Sequence, residues 1–323
     1  MPKPPAIVLV TPALAAAKNG NWQTAQRWAR MLQQRYRVNL CTDWQAGDEA
    51  LMIALHARRS AASMLAWRAQ HPARPLLLVL TGTDLYQDIA FDAQAQRSLQ
   101  LADLMVVLNE LGAAALPEDL RAKARVCLQS STARHSARPK TRRHMRAVMV
   151  GHLRAVKDPQ CCFDAARLLA GRRDILLDHV GAALDPELGE AALALAVSQP
   201  SYRWLGACSH AQTRARIAAA HVLVHPSRLE GGAHAVIEAV VSGTPVLASR
   251  IDGNVGLLGA DYAGFFEPGD AQGLARLLQR ARDEPAMLPA LALQCALRAP
   301  LFEPARERAT LLGLMDELLK TKT

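Results

Sequence analysis

Glu230 and Glu238 stand eight positions apart in Ser227-Arg228-Leu229-Glu230-Gly231-Gly232-Ala233-His234-Ala235-Val236-Ile237-Glu238. Two carboxylates so placed can each grip a hydroxyl group at opposite ends of one ligand. A helix starting at the glycine pair would turn its unpaired N–H groups and positive dipole end outward, toward a phosphate or a sugar hydroxyl. On a single helix the carboxylates would lie roughly 12 Å apart, at 1.5 Å per residue. That span suits a sugar-diphosphate-nucleoside, with Glu230 on the sugar, Glu238 on the ribose, and Gly231, Gly232 and Ala233 lining the donor. The alternative is an ordinary amphipathic helix with two solvated glutamates.

Other segments rich in polar and basic residues follow short apolar runs. Gly151-His152-Leu153-Arg154-Ala155-Val156-Lys157 places Arg154 and Lys157 just beyond one such run. Two fixed cations there would neutralise a departing diphosphate directly, without magnesium. A basic surface turn is the other reading. Leu55-His56-Ala57-Arg58-Arg59-Ser60 concentrates two guanidiniums and an imidazole where a small anion can be held by bidentate hydrogen bonds. The same residues also fit a solvated helix start. Thr81-Gly82-Thr83-Asp84 offers hydroxyls and a carboxylate, unless Asp84 caps a helix. Lys18-Asn19-Gly20-Asn21 is a glycine turn able to admit a phosphate. His225 and His234 lie near the glutamate motif as donors to substrate or as structural residues, and neither is assigned as a catalytic base.

The elements that must carry these residues alternate. Apolar runs at 7–10, 38–41, 51–55, 76–80 and 104–108 are separated by helical patterns at 24–34, 60–70 and 93–101, which predicts β-α-β units and a mostly parallel sheet covered on both faces. The alternation restarts at 147–151, with strands expected at 176–180, 202–205, 222–225 and 245–248 and helices at 211–219 and 234–241. We therefore expect an α/β protein of two doubly wound domains, 1–129 and 147–303, joined by a basic linker at 130–146, with a C-terminal helix at about 304–323 that packs back on the first domain. Open α/β sheets bind ligands at the carboxyl ends of their strands, where all these motifs fall.

Composition bounds the rest. At 323 residues the chain exceeds the usual size of one core, and 50% hydrophobic with 21% charged residues describes a globular protein. The net charge of +9 attracts anions. Arg134, Arg138, Lys140, Arg142, Arg143 and Arg146 form a run without interleaved aromatics, which argues for a solvated linker and against nucleic-acid binding. The six cysteines show no metal-ligand or redox spacing and fit reduced thiols of a cytoplasmic protein, with Cys161-Cys162 packing inside a helix. Pro12 interrupts the apolar opening, which suits a first strand and loop rather than a signal peptide. No apolar run reaches the ~20 residues that span a bilayer.

Together, Gly151 to Lys157, Trp204-Leu205-Gly206, Pro226-Ser227-Arg228-Leu229-Glu230-Gly231-Gly232, Glu238-Ala239 and Phe266-Glu267-Pro268-Gly269-Asp270 resemble the second domain of GT-B glycosyltransferases of the glycosyltransferase-4 type. The resemblance implies two Rossmann-like domains facing across a cleft. It gives the diphosphate to Lys157 and Arg154, the transferred sugar to Glu230 and the ribose to Glu238, with Gly206 and Gly20 also on the donor. Where the family commonly has an arginine after the first glycine, this chain has His152, so Arg154 takes that role from two residues further on.

A closer resemblance runs through nearly the whole chain. Ala54-Leu55-His56-Ala57-Arg58-Arg59-Ser60, Leu80-Thr81-Gly82-Thr83-Asp84-Leu85-Tyr86, Glu230-Gly231-Gly232 and Ala248-Ser249-Arg250-Ile251-Asp252-Gly253-Asn254-Val255-Gly256-Leu257-Leu258-Gly259 are similar to the selenosugar synthases of bacterial selenoneine biosynthesis. That family joins selenophosphate to the anomeric carbon of a UDP-sugar, typically UDP-N-acetylglucosamine. The resemblance implies an acceptor site of His56, Arg58, Arg59, Thr81, Thr83, Lys18 and Asn21, a UDP-sugar and selenophosphate as co-substrates, and no metal or other cofactor. A GT-B enzyme with another small anionic or lipid acceptor, and a non-catalytic nucleotide-sugar sensor, stay open beside it; the basic amphipathic helix bearing Trp22, Arg27, Trp28, Arg30 and Arg35 would give the lipid reading a peripheral contact with an acidic membrane. The sequence assigns no oligomeric state.

Overall fold

The computed structural model describes residues 4–13, 20–137 and 139–320. The chain divides into two compact units. One runs to Ser130 and takes in the chain from Pro304 onward, and the other is Ser131–Glu303.

The first unit holds six parallel strands: β1 (Ala6–Val10), β2 (Arg37–Cys41), β3 (Leu51–Leu55), β4 (Leu76–Leu80), β5 (Leu104–Val107) and β6 (Ala124–Val126), in the order β2-β1-β3-β4-β5-β6. Every residue of β3 and β4 is buried, as in a parallel sheet covered on both faces. Alternate side chains separate into two cores. Val8, Met52, Leu78 and Met105 pack with Met64 and Trp67 of helix Ala61–Gln70 and Leu99 of helix Ala93–Leu101. Ile7, Ile53, Leu77 and Val106 pack with Trp28 and Leu32 of helix Gly20–Leu32 and with Leu311, Leu314 and Met315 of helix Pro304–Lys320.

Glu307 anchors that last helix. Its buried carboxylate accepts from Arg27 Nε at 2.9 Å, Trp28 Nε1 at 2.7 Å and the Ser130 amide at 2.8 Å. A charge so placed is tolerated because it is both paired and hydrogen-bonded.

The second unit repeats the architecture with β7 (Met145–Val150), β8 (Ile175–Val180), β9 (Tyr202–Trp204), β10 (Val222–His225), β11 (Val246–Ser249) and β12 (Phe265–Phe266), all parallel, in the order β12-β11-β10-β7-β8-β9. The order reverses between β7 and β10, so the crevice at a doubly wound sheet's switch point opens between the segments that follow those two strands. The fold is thus α/β with two Rossmann-like units. β7 begins at Met145, two residues inside the segment expected as linker, because Met145 is buried and Arg146 pairs with Asp178 at 3.0 Å. Cys161 and Cys162 are buried in helix Pro159–Leu168, where they pack.

Candidate active site

At the switch point of the second sheet, the turn after β7 meets the loop after β10. The Arg228 amide donates to Val156 O at 2.9 Å, and the Arg228 guanidinium reaches Asp158 Oδ2 at 3.0 Å. Asp158, at φ 46°, also caps helix Pro159–Leu168 through the Cys161 amide. This double tie sets Lys157 against Glu230, and the two form an ion pair. His225 Nε2 stands 3.1 Å from the same Glu230 oxygen, close but without hydrogen-bond alignment. Burial by itself would raise the Glu230 carboxyl; Lys157 and His225 outweigh it and hold the group ionised, below the usual carboxylate range.

The backbone of Glu230 rests on Gly253, at the start of helix Asp252–Leu258. A Cβ at Gly253 would lie 2.0 Å from Glu230 O. From the same side, Ser249 Oγ donates to Ser227 O at 2.5 Å, and Asn254 Nδ2 donates to Ser249 O at 2.9 Å.

Two sequence expectations change here. The helix begins at His234, capped by Ala233, so Gly231 and Gly232 form a bend ahead of it and Glu230 lies in the loop. Only Glu238 rides the helix, and the roughly 12 Å helical separation does not apply. The solvated alternative fails as well: Glu230 is 8% exposed and Glu238 3%.

Glu238 has its own set of partners. Its Oε1 lies 2.5 Å from His210 Nε2, 3.3 Å from His234 Nδ1 and 3.8 Å from Arg214 Nε. Burial opposes ionisation, but hydrogen bonds from His210 and His234 lower the carboxyl to about 2. His210 is held as the first residue of helix His210–Ala219 by a capping box between Ser209 and Gln212.

Arg154 is exposed, and among the described residues no hydrogen bond or ion pair engages its guanidinium. His152 accepts the Ala182 amide on Nδ1 at 3.0 Å; burial, then Arg154 and Lys157, lower its pKa, so it is a neutral structural ring. Gly206, at φ 65°, follows β9, and its carbonyl accepts the Gly181 amide at 2.9 Å.

In the first unit, His56, Arg58 and Arg59 follow β3, and Thr81 and Thr83 follow β4. His56 is buried at φ 75°, a strained conformation for a residue with a Cβ. Its Nδ1 accepts the Arg59 amide, and its Nε2 lies 3.3 Å from Thr83 Oγ1 and 3.8 Å from Asp88 Oδ2. Arg58 and Arg59 are exposed, with Arg58 Nε 3.6 Å from Asp88. Asp84 is not a ligand group: its buried carboxylate accepts the amides of Ala57, Thr81 and Gly82 at 2.8–2.9 Å and fastens the ends of β3 and β4 together. Gly20 and Asn21 open helix Gly20–Leu32, and Lys18 lies outside the described residues.

Sequence reasoning missed His210, Arg214, Asp88 and Gly253 as parts of these constellations. Only His210 left a local sign, the Ser209-x-x-Gln212 cap.

Residues 133–293 match the family described as Glycosyl transferases group 1. No curated protein sequence matches the chain. Among solved structures, sucrose-phosphate synthase (tll1590) from Thermosynechococcus elongatus is similar at 17% identity and a TM-score of 0.77, covering 98% of this chain and 100% of that one. Anabaena Alr3699/HepE in complex with UDP-glucose is similar at 15% identity and a TM-score of 0.80, covering 97% of this chain and 100% of that one. The pneumococcal O-GlcNAc transferase GtfA in complex with UDP and GlcNAc is similar at 14% identity and a TM-score of 0.68, covering 92% of this chain and 60% of that one. The fold is GT-B. No single helix among the described residues is long and apolar enough to cross a membrane.

Proposed function

With residues 133–293 carrying a glycosyl transferases group 1 domain, we propose that this chain is a UDP-sugar-dependent glycosyltransferase whose acceptor is selenophosphate. The observation that carries the donor half is the buried Lys157–Glu230 ion pair at the switch point, with Arg154 beside it in the same turn. UDP-glucose in the HepE complex and UDP with GlcNAc in the GtfA complex support a UDP-sugar donor. UDP-N-acetylglucosamine is the donor we expect. Glu238 takes the ribose, Arg154 and Lys157 the diphosphate, and Glu230 the sugar.

The acceptor half rests on the sequence resemblance and on the exposed guanidiniums of Arg58 and Arg59 beside His56. Selenium attacks the anomeric carbon, the carbon–oxygen bond to the diphosphate breaks, and its electron pair leaves on UDP. Water then cleaves the selenium–phosphorus bond, releasing phosphate and the selenosugar. Selenophosphate is already a soft anionic nucleophile, so orientation does the work of a base. Arginine and lysine stabilise the leaving diphosphate, so the transfer requires no divalent metal.

Incubating the protein with selenophosphate and UDP-N-acetylglucosamine, and following UDP and a selenium-containing sugar by mass spectrometry, tests the reading. Absence of turnover with every UDP-sugar offered removes it. One observation favours a second acceptor class. Asp88 stands beside both His56 and Arg58, where a carboxylate suits a hydroxyl acceptor better than an anion. Turnover with hydroxyl acceptors and none with selenophosphate would establish that reading instead.

A further inference from the structure

We propose that His210, His234 and Glu238 form a binding site for a divalent ion of the zinc class, separate from the chemistry of transfer. One ligating atom from each residue lies within 4.8 Å of the others, and His210 Nε2 and His234 Nδ1 both face Glu238 Oε1. Two imidazoles and one carboxylate are a zinc donor set that leaves a fourth position open. Bonds of about 2.0–2.1 Å in a tetrahedron separate neighbouring ligand atoms by roughly 3.4 Å. His234 already stands 3.3 Å from Glu238 Oε1. His210 stands at 2.5 Å and has to withdraw by about 1 Å. Its side chain is 51% exposed, so it has room to do so.

The supports are rigid. His234 and Glu238 are four residues apart on one helix face, a spacing that presents two ligands to one ion. The capping box fixes the backbone of His210. Nitrogen and carboxylate donors together select zinc, cobalt or nickel over magnesium or calcium, which prefer all-oxygen sites. Glu238 supplies the negative charge of the set, and Arg214 Nε, a cation, stands 3.8 Å from its Oε1. Arg214 weakens the site without blocking it, because its terminal nitrogens are turned to the Thr132 carbonyl and hydroxyl.

One consequence rests on the reading of Glu238 as the ribose carboxylate: zinc and UDP would then exclude each other, and zinc would inhibit. The site itself does not depend on that reading.

The test uses tag-free, chelator-stripped full-length protein titrated with Co2+ and then Zn2+. We expect one equivalent of cobalt with the visible absorption of a four-coordinate site, displaced by zinc. His210→Ala and His234→Ala should each weaken zinc binding at least about tenfold, since even indirect supports of a metal ligand contribute that much. Thermal melts in chelator report whether the variants fold, with His210→Gln as a second variant. Wild-type protein that binds no more cobalt or zinc than the variants, or variants that keep wild-type affinity, would overturn the proposal. UDP affinity measured in EDTA tests the donor reading separately: a protein that binds UDP but takes up neither cobalt nor zinc sinks the metal site alone, and one that takes up zinc but binds no UDP sinks the donor reading alone.

Discussion

Lys157 Nζ is ion-paired with Glu230 Oε1, and the contact joins the turn after β7 to the loop after β10 at the reversal point of the second sheet. Two residues that the sequence presents as separate ligand groups are therefore one electrostatic unit. Arg154 is the cation in that turn with no hydrogen bond or ion pair among the described residues.

Breaking the unit from the cationic side leaves a buried anion behind. Lys157→Met should lower stability by about 2–3 kcal/mol, under the range for a fully buried pair because the lysine side chain is 19% exposed. Glu230→Gln, which keeps a hydrogen-bond acceptor for Lys157, should be milder. Both should reduce kcat by about a hundredfold. Thermal melts and steady-state turnover check the contrast, and equal stability losses would contradict it.

The two units should separate by substrate. Glu238→Ala removes a charged hydrogen-bond acceptor and should weaken UDP binding by about ten- to a hundredfold in calorimetry. Arg58→Ala should raise the KM for selenophosphate about tenfold with UDP affinity nearly intact.

Gly253 supports Glu230 by lacking a side chain. In Gly253→Ala the new carbon meets backbone rather than a movable side chain, so the Glu230 loop must shift. The expected result is a tenfold or larger drop in kcat, with β7 to β9 unchanged by amide hydrogen exchange.

Acid should weaken the second unit through His179. Burial lowers its pKa to about 4, against the opposing effect of its hydrogen bond to Gly151 O. The unfolded ring takes a proton near 6.5 and the folded ring only near 4. Stability is thus full above about pH 6.5 and falls by about 3 kcal/mol as pH drops to 4. Trp204 is the tryptophan of Ser131–Glu303, so a fluorotryptophan resonance follows this unit's unfolding in urea. A midpoint equal at pH 7.5 and pH 5 would contradict the assignment.

Chelation should leave transfer intact. Turnover after EDTA treatment should equal or exceed that of untreated protein, and strict dependence on added magnesium would remove the diphosphate role given to Arg154 and Lys157.

Much of the architecture was legible because it depends on local pattern. β3 and β4 fall at the expected residues, since an unbroken apolar run of five marks a strand buried on both faces. β6 and β12, three and two residues long, were missed because so few residues carry no periodicity. The first helix starts at Gly20 rather than near position 24, ahead of its apolar stripe.

The sequence by itself determined the two α/β units, the strand ends that bear polar loops, and which loops hold carboxylates and cations. Tertiary structure alone decided which of these meet. Lys157 finds Glu230 73 positions away, and His210 finds Glu238 28 positions away, because β10 lies beside β7 in the sheet. Hydrophobic period and turn chemistry act over a few residues, whereas strand order follows from burying both faces of a whole sheet. Ionisation follows from the same distant contacts, and that is why two glutamates that look solvated in the chain are buried, paired and charged in the fold.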